Sequence, residues 1–238
     1  TNLALEEIMK DMAKKHPDLV KLESIGKSFQ GNDIWVLIVT DFKAGKAEDK
    51  PGMWIDGNIH SNEIQGTEFT LYTAWYLSEM YGELEFITQL LKDKTFYIAP
   101  TINPDAHDNF IKEPNTLNSP RSGMMNMDDD GDGMIGEDPF DDINKDGHIT
   151  MMIRKSPTGR YVKDQMDPRK LIMVAPDQKG EYEMLGFEGI DNDGDGKYNE
   201  DGIGGLDLHR NYPENWRPDT GGDETGRGYT QFGAGEYP

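Results

Sequence analysis

The chain has 238 residues, enough for one large domain or two small ones, and 35% hydrophobic with 10% aromatic residues is a globular composition rather than a disordered one. Its formal charge of −21, from 24 basic and 45 acidic residues, argues against the electrostatic attraction that nucleic-acid and anionic-membrane binding require. Cysteine is absent, so there is no disulfide framework, and no apolar run approaches the roughly 18 residues of a membrane span.

No signal-peptide pattern opens the chain, which starts at Thr1 rather than Met and leaves a processed, exported origin open. The first element reads as a helix, with Leu5, Ile8, Met9 and Met12 at helical spacing, Asn2 able to cap its start and Pro17 ending it. His16 at its end reads as a surface residue, since cations suit helix C-termini. "VKLESIGKS" and "DIWVLIVTD" follow as strands joined through Gly31 and Asn32, and "GMWIDGNI" is a third, buried strand that runs into a polar turn. "EIQGTEFTLYTAWYLSEMYG" is a helix ending at Gly82, "FITQLLK" a short second one, and "TFYIAPTIN" a fourth strand. This alternation predicts an α/β domain with a partly parallel sheet. From residue 104 to about 205 the pattern changes to Asp, Asn, Gly and Pro with little apolar periodicity, so something other than an apolar core must order that stretch.

A repeat supplies a candidate. "DDDGDGMIGED" from Asp128 and "DNDGDGKYNED" from Asp191 match in register, and "DINKDGHIT" from Asp142 is a related version. Oxygen donors at the first, third and fifth places (Asp128, Asp130, Asp132; Asp142, Asn144, Asp146; Asp191, Asp193, Asp195) point to one side of a tight loop. Glycine at the sixth place permits the turn, and an apolar residue at the eighth (Ile135, Ile149, Tyr198) pins the loop inward. The pattern predicts calcium in a structural role. It departs from an EF-hand at position 12, where Pro139, Ile153 and Gly202 stand in place of glutamate. The pairs Glu137–Asp138 and Glu200–Asp201 either replace that ligand or close a neighbouring site.

His60 and Glu63 occupy the turn after the third strand, where a strand ends and a helix begins, and a spacing of three sets both side chains on one face. Alone, His-x-x-Glu is a weak zinc signal, since a glutamate near a helix start is favourable with or without a metal. Its company is more specific. "DGNIHSNEIQG", "TINPDA", "MIRK" and "LDLHRNYPENW" occur in the order of the carboxypeptidase A-like (funnelin) zinc carboxypeptidases, and the chain resembles that family over residues 1–112 and about 149–217. The resemblance implies an α/β/α mixed-sheet fold and one catalytic domain of which residues 1–238 are the N-terminal part, with the calcium loops as an insertion at about 113–205. It implies a metallopeptidase that removes C-terminal residues from peptides bearing a free C-terminal carboxylate. Residue by residue, it makes His60 and Glu63 zinc ligands. Arg154, preferred to Arg121, becomes the arginine that polarises the scissile carbonyl, and Arg210 the one that grips the terminal carboxylate.

Two departures bear on function. His209 stands where the family has asparagine, which changes the geometry offered to a carboxylate. No histidine follows His209, and the family draws its third zinc ligand, capping tyrosine and general-base glutamate from a later portion. These 238 residues are therefore expected to hold zinc weakly and to be inactive alone, with the C-terminal part of the same domain as a partner. Two other readings stay open: a non-catalytic, calcium-stabilised module binding peptides or carboxylates, and an amidase acting on cell-wall peptides on the same fold.

Overall fold

A computed structural model describes residues 1–116, 123–124, 133–136, 138–199, 208–210 and 212–213. The chain separates into two compact units. The first comprises Thr1–Glu113 with the described residues of Asn118–Met125 and Gly204–Pro238; the second comprises those of Pro114–Leu117 and Asn126–Ile203.

The first unit is the α/β part. Helix α1 (Asn2–Lys15) leads to strands β1 (Val20–Lys27) and β2 (Asp33–Val39), and β3 (Gly52–Asp56) to helices α2 (Ile64–Glu79) and α3 (Glu85–Asp93). Strand β4 (Thr95–Ala99) then feeds helix α4 (Pro104–Lys112). The sheet order is β1-β2-β4-β3, antiparallel for β1–β2 and β2–β4 and parallel for β3–β4, so it is mixed. Leu37, Val39, Phe96 and Ile98 from the central strands meet Met9 of α1, Leu77 of α2 and Leu91 of α3 in one buried cluster. β2 and β4 are near-continuous apolar runs, as central strands are, and one face of each helix closes the cluster.

Three local expectations change. Asn2 does not cap α1; it is the first helical residue, after Thr1, and its side chain donates instead to the Pro104 carbonyl (2.6 Å). Strand β3 is not buried, with Met53 55% and Trp54 50% exposed, because among the described residues it pairs with β4 alone and forms a sheet edge. And the stretch after Asn103 does not lose structure at once, since α4 follows immediately. The Asn103 side chain accepts from the Ala106 N–H (3.3 Å) and Pro104 opens the first turn, a start signal legible in "NPDA".

The second unit has its own frame. Strands β5 (Asn115–Thr116) and β6 (His148–Ile149) pair in parallel. Strands β7 (Met151–Lys155), β8 (Tyr161–Lys163), β9 (Leu171–Met173) and β10 (Tyr182–Phe187) form an antiparallel sheet in the order β7-β10-β8-β9. Its interior is unusual in composition. Among the described residues of this unit, the buried ones are Asp138, Ile149, Gly159, Glu188 and Gly189: one apolar side chain, two glycines and two carboxylates. A sheet exists here, but the described residues of this unit form no apolar core.

Candidate metal centres

The turn between β3 and α2 is built by close backbone contact. A Cβ on Gly57 would come within 2.5 Å of the Gly66 carbonyl oxygen, and one on Gly66 within 2.9 Å of the Asn58 nitrogen. Only glycine at both places lets the end of the strand lie against the first turn of α2. Asn58 takes a left-handed conformation (φ 56°) and is buried. Its amide donates to the carbonyls of His60 (2.8 Å) and Ser61 (3.2 Å), while its oxygen accepts from the Thr101 hydroxyl (3.0 Å). Asn103 donates to the Ile59 carbonyl (2.9 Å), so the residue that caps α4 also clamps this turn.

The clamp fixes two donors. His60 is buried, Glu63 is half exposed at the N-cap of α2, and His60 Nδ1 lies 3.0 Å from Glu63 Oε1. The Glu63 carboxylate does not cap its helix and is spent on the histidine instead. A separation of 3.0 Å is a hydrogen bond as it stands. Two donors on one tetrahedral zinc ion at roughly 2.0–2.2 Å stand about 3.3–3.6 Å apart, so the pair fits that metal once its hydrogen bond opens by a few tenths of an ångström. The His209 ring stands edge-on to His60, with centroids 5.3 Å apart, in a short 3-10 turn at Leu208–Arg210. Among the described residues, no third carboxylate or imidazole joins His60 and Glu63 within 4.8 Å.

The other residues singled out in the sequence fall elsewhere. Arg154 lies on β7 in the second unit, largely exposed, and pairs with Glu183 at 2.6 Å; the arginine holds the Glu183 carboxyl below its ordinary range. The side chain of Arg210, together with Arg121 and the first loop's Asp128, Asp130 and Asp132, lies outside the described residues. Asp105 of "NPDA" is buried and accepts from the Ser28 hydroxyl (2.6 Å), the Gln30 N–H (2.9 Å) and the Asn32 amide (2.8 Å), all in the β1–β2 turn. Its place in that motif is architectural.

The two described acidic loops share one geometry. In the first, Gly147 N–H donates to Asp142 Oδ2 (2.8 Å), Asp146 N–H to Asn144 Oδ1 (2.9 Å) and His148 N–H to Asp146 Oδ1 (2.9 Å). In the second, Gly196, Asp195 and Lys197 N–H groups donate to Asp191 Oδ2 (3.0 Å), Asp193 Oδ1 (2.9 Å) and Asp195 Oδ1 (2.8 Å). The fourth and sixth residues are left-handed in both, with φ of 60° and 84° at Lys145 and Gly147 and of 87° and 96° at Gly194 and Gly196. Such bonds are what aspartates make in tight turns with or without an ion. Lys197 also reaches Asp195 at 3.0 Å and, with its own N–H, holds that carboxyl below its ordinary range. The eighth-place residues differ. Ile149 is buried, whereas Ile135 is 65% exposed and pins nothing. Asp138, with Asp191 and Asp193, forms the group of three acids whose ligand atoms all lie within 4.8 Å of one another. Glu188 carried no sequence signal of its own, because it acts through tertiary contact, whereas Asn58 acts mainly on carbonyls two and three residues further on.

Comparison with known proteins bears on this chain directly. The family model described as "Zinc carboxypeptidase" matches residues 5–138. Carboxypeptidase D of Drosophila melanogaster is 30% identical over 125 residues, which are 52% of this chain and 9% of that protein. Carboxypeptidase SOL1 of Arabidopsis thaliana is 32% identical over 119 residues, 50% of this chain and 24% of that protein. Among solved structures, bovine thrombin-activatable fibrinolysis inhibitor in complex with tick carboxypeptidase inhibitor aligns at a TM-score of 0.45 and 25% identity, covering 57% of this chain and 40% of that one. The chain thus spans less than a quarter of the length of the two relatives named first.

Proposed function

The chain belongs to the zinc carboxypeptidase family, and from that premise we propose that its first unit carries part of a zinc site for hydrolysis of C-terminal peptide bonds, with His60 and Glu63 as the ligands it contributes. When bound, the zinc supplies Lewis-acid activation of water and of the scissile carbonyl. What the chain's own residues do is more specific. Asn58 and Asn103 hold the turn carbonyls, and that fixes the orientation of His60 before any metal arrives. Glu63 brings a negative charge to the imidazole and so favours a divalent cation between them. Arg210 and His209 take the free carboxylate of the peptide substrate, the arginine by a bidentate pairing.

The single observation behind this reading is the 3.0 Å approach of His60 Nδ1 to Glu63 Oε1 inside a turn that two glycines and two asparagines hold rigid. The test is zinc content and peptide hydrolysis for the protein at its full natural length, against His60→Ala and Glu63→Gln. Both variants are expected to lose stoichiometric zinc and at least 100-fold in kcat/KM on peptides with a free C-terminus. Amidated peptides should be poor substrates of the parent. Equal hydrolysis of the two peptide classes would point instead to the amidase reading, and zinc retained in both variants would overturn the ligand assignment.

For the second unit we infer calcium at the Asp142–Gly147 and Asp191–Gly196 loops in a structural role, and we take the unit as an insertion in one catalytic domain. What supports this is an interior that is acidic rather than apolar, together with the matched loop geometry.

A further inference from the structure

We propose that the two described acidic loops form a pair of calcium sites closed crosswise: each is completed by a buried carboxylate carried on the segment that leads into the other. This deepens the calcium reading of the loops and rests on it. Asp138 sits four residues ahead of the Asp142 loop, yet it serves the Asp191 loop. It is 1% exposed, its Oδ1 accepts from the Asn192 N–H (2.7 Å), and its ligand atom lies within 4.8 Å of those of Asp191 and Asp193. Glu188 sits three residues ahead of the Asp191 loop, yet it serves the Asp142 loop. It is 5% exposed and its Oε1 accepts from the Asn144 N–H (3.0 Å).

The second oxygen of each carboxylate is the informative one. Asp138 Oδ2 and Glu188 Oε2 are both buried and have no hydrogen-bond partner. A buried carboxylate oxygen left unpaired is strongly unfavourable, and a protein rarely keeps one without a ligand for it. Here two occur in one small unit, each beside a loop that presents three further oxygen side chains and a glycine turn. The side-chain donors proposed for both loops are all hard oxygens, which suit calcium better than a transition metal. Position 12 of an EF-hand loop, which supplies the closing glutamate there, is empty of acid in both loops, and the crossed carboxylates do that work from outside.

The crossing links the two sites. The segments carrying Asp138 and Glu188 run antiparallel, joined by a bridge between Phe140 and Gly189 and by the Asp141 N–H donating to the Glu188 carbonyl (3.0 Å). The Phe140 and Phe187 rings pack edge-to-face at 5.6 Å beside them. Filling one site fixes the ladder that positions the closing acid of the other. Binding is therefore cooperative.

The test uses the full chain stripped with a chelator, then titrated with calcium chloride and melted with and without it. The parent should gain thermal stability in calcium. Asp138→Asn keeps shape and hydrogen bonding but removes the buried charge, and its effect should change sign: a higher melting temperature than the parent when stripped, a lower one in calcium. Glu188→Gln should behave alike. Each should weaken calcium binding tenfold or more, and the Hill coefficient of the parent should fall to one in either. Variants less stable than the parent in both states would make these carboxylates plain structural acceptors and overturn the proposal, as would variants indistinguishable from the parent. In those outcomes a calcium-responsive parent would leave the loop reading standing. A parent that shows neither heat nor a melting shift in calcium would remove both.

Discussion

Residue-scale chemistry in the first unit is clearest at Asp41 and Tyr81, away from the metal donors. Burial alone would raise the Asp41 pKa, but hydrogen bonds from the Tyr81 hydroxyl (2.6 Å) and from the N–H groups of Lys43 and Ala44 outweigh it, and the carboxyl ends below its ordinary value of 3.8. The same bond, with burial added, pushes Tyr81 up from 10.0 to about 12. The signs follow from linkage. The Asp41 contribution to stability is present above pH 3.8 and is lost as pH falls through the depressed folded value. The Tyr81 contribution is present below pH 10 and is lost as pH rises towards 12. A spectrophotometric titration of the phenols should therefore show one tyrosine ionising well after the unperturbed ones, and Asp41→Asn should bring it back towards 10. If the late tyrosine persists in that variant, the bond is not its cause.

At the scale of elements, α4 is the piece that clamps the turn carrying His60 and Glu63. Its cap residue Asn103 holds the Ile59 carbonyl, and Asp105 in its first turn holds the β1–β2 connection by three bonds. Asp105→Ala would leave three donors without a partner and should cost about 2–4 kcal/mol. Asn103→Ala, which loses the cap and the clamp, should cost about 1–2 kcal/mol. Denaturant melts of the two variants would check the order as well as the size. These roles also mark how far the sequence could be read. The existence of β1, β2, β4 and the first three helices was legible because apolar periodicity over 5 to 16 residues reports burial directly. His60 and Glu63 were legible through their spacing and their company. The exposure of β3 was not, since an edge strand and a central strand can share one apolar pattern. Helix α4 was not evident although "NPDA" carries its start signal, because its nine residues offer apolar spacing only at Ala106, Phe110 and Ile111. Glu188 had no local pattern at all; its role comes from a bridge between segments 49 apart in sequence.

For the whole molecule, the contrast between the two units governs stability. The first buries a continuous apolar cluster, and the second buries acids. On the calcium reading proposed for the second unit, its free energy responds to cation activity, whereas that of the first responds to temperature and denaturant. Limited proteolysis should expose the difference. In chelator, the first cuts are expected within 138–199, while 1–113 survives; with calcium in millimolar excess, cleavage in the second unit should slow by more than tenfold. Equal protection in the two buffers would mean that the β7-β10-β8-β9 sheet holds the unit without ions. The charge of −21 fits this division, since part of it would be neutralised by bound cations.

The bonds that tie α4 to the rest of its unit span long stretches of chain. Asn103 reaches back 44 residues to Ile59, and the partners of Asp105 lie 73 to 77 residues upstream. Closing such long loops is entropically slow. On the ribosome, a nascent chain that has emerged as far as Glu63 therefore carries His60 and Glu63 without the Asn103 clamp on their turn. The Asn58 bonds to the His60 and Ser61 carbonyls are local, but the Asn103 clamp joins them only after about forty more residues follow and α4 docks. The proposed zinc ligands are in this way brought under the Asn103 clamp only late in the synthesis of this unit.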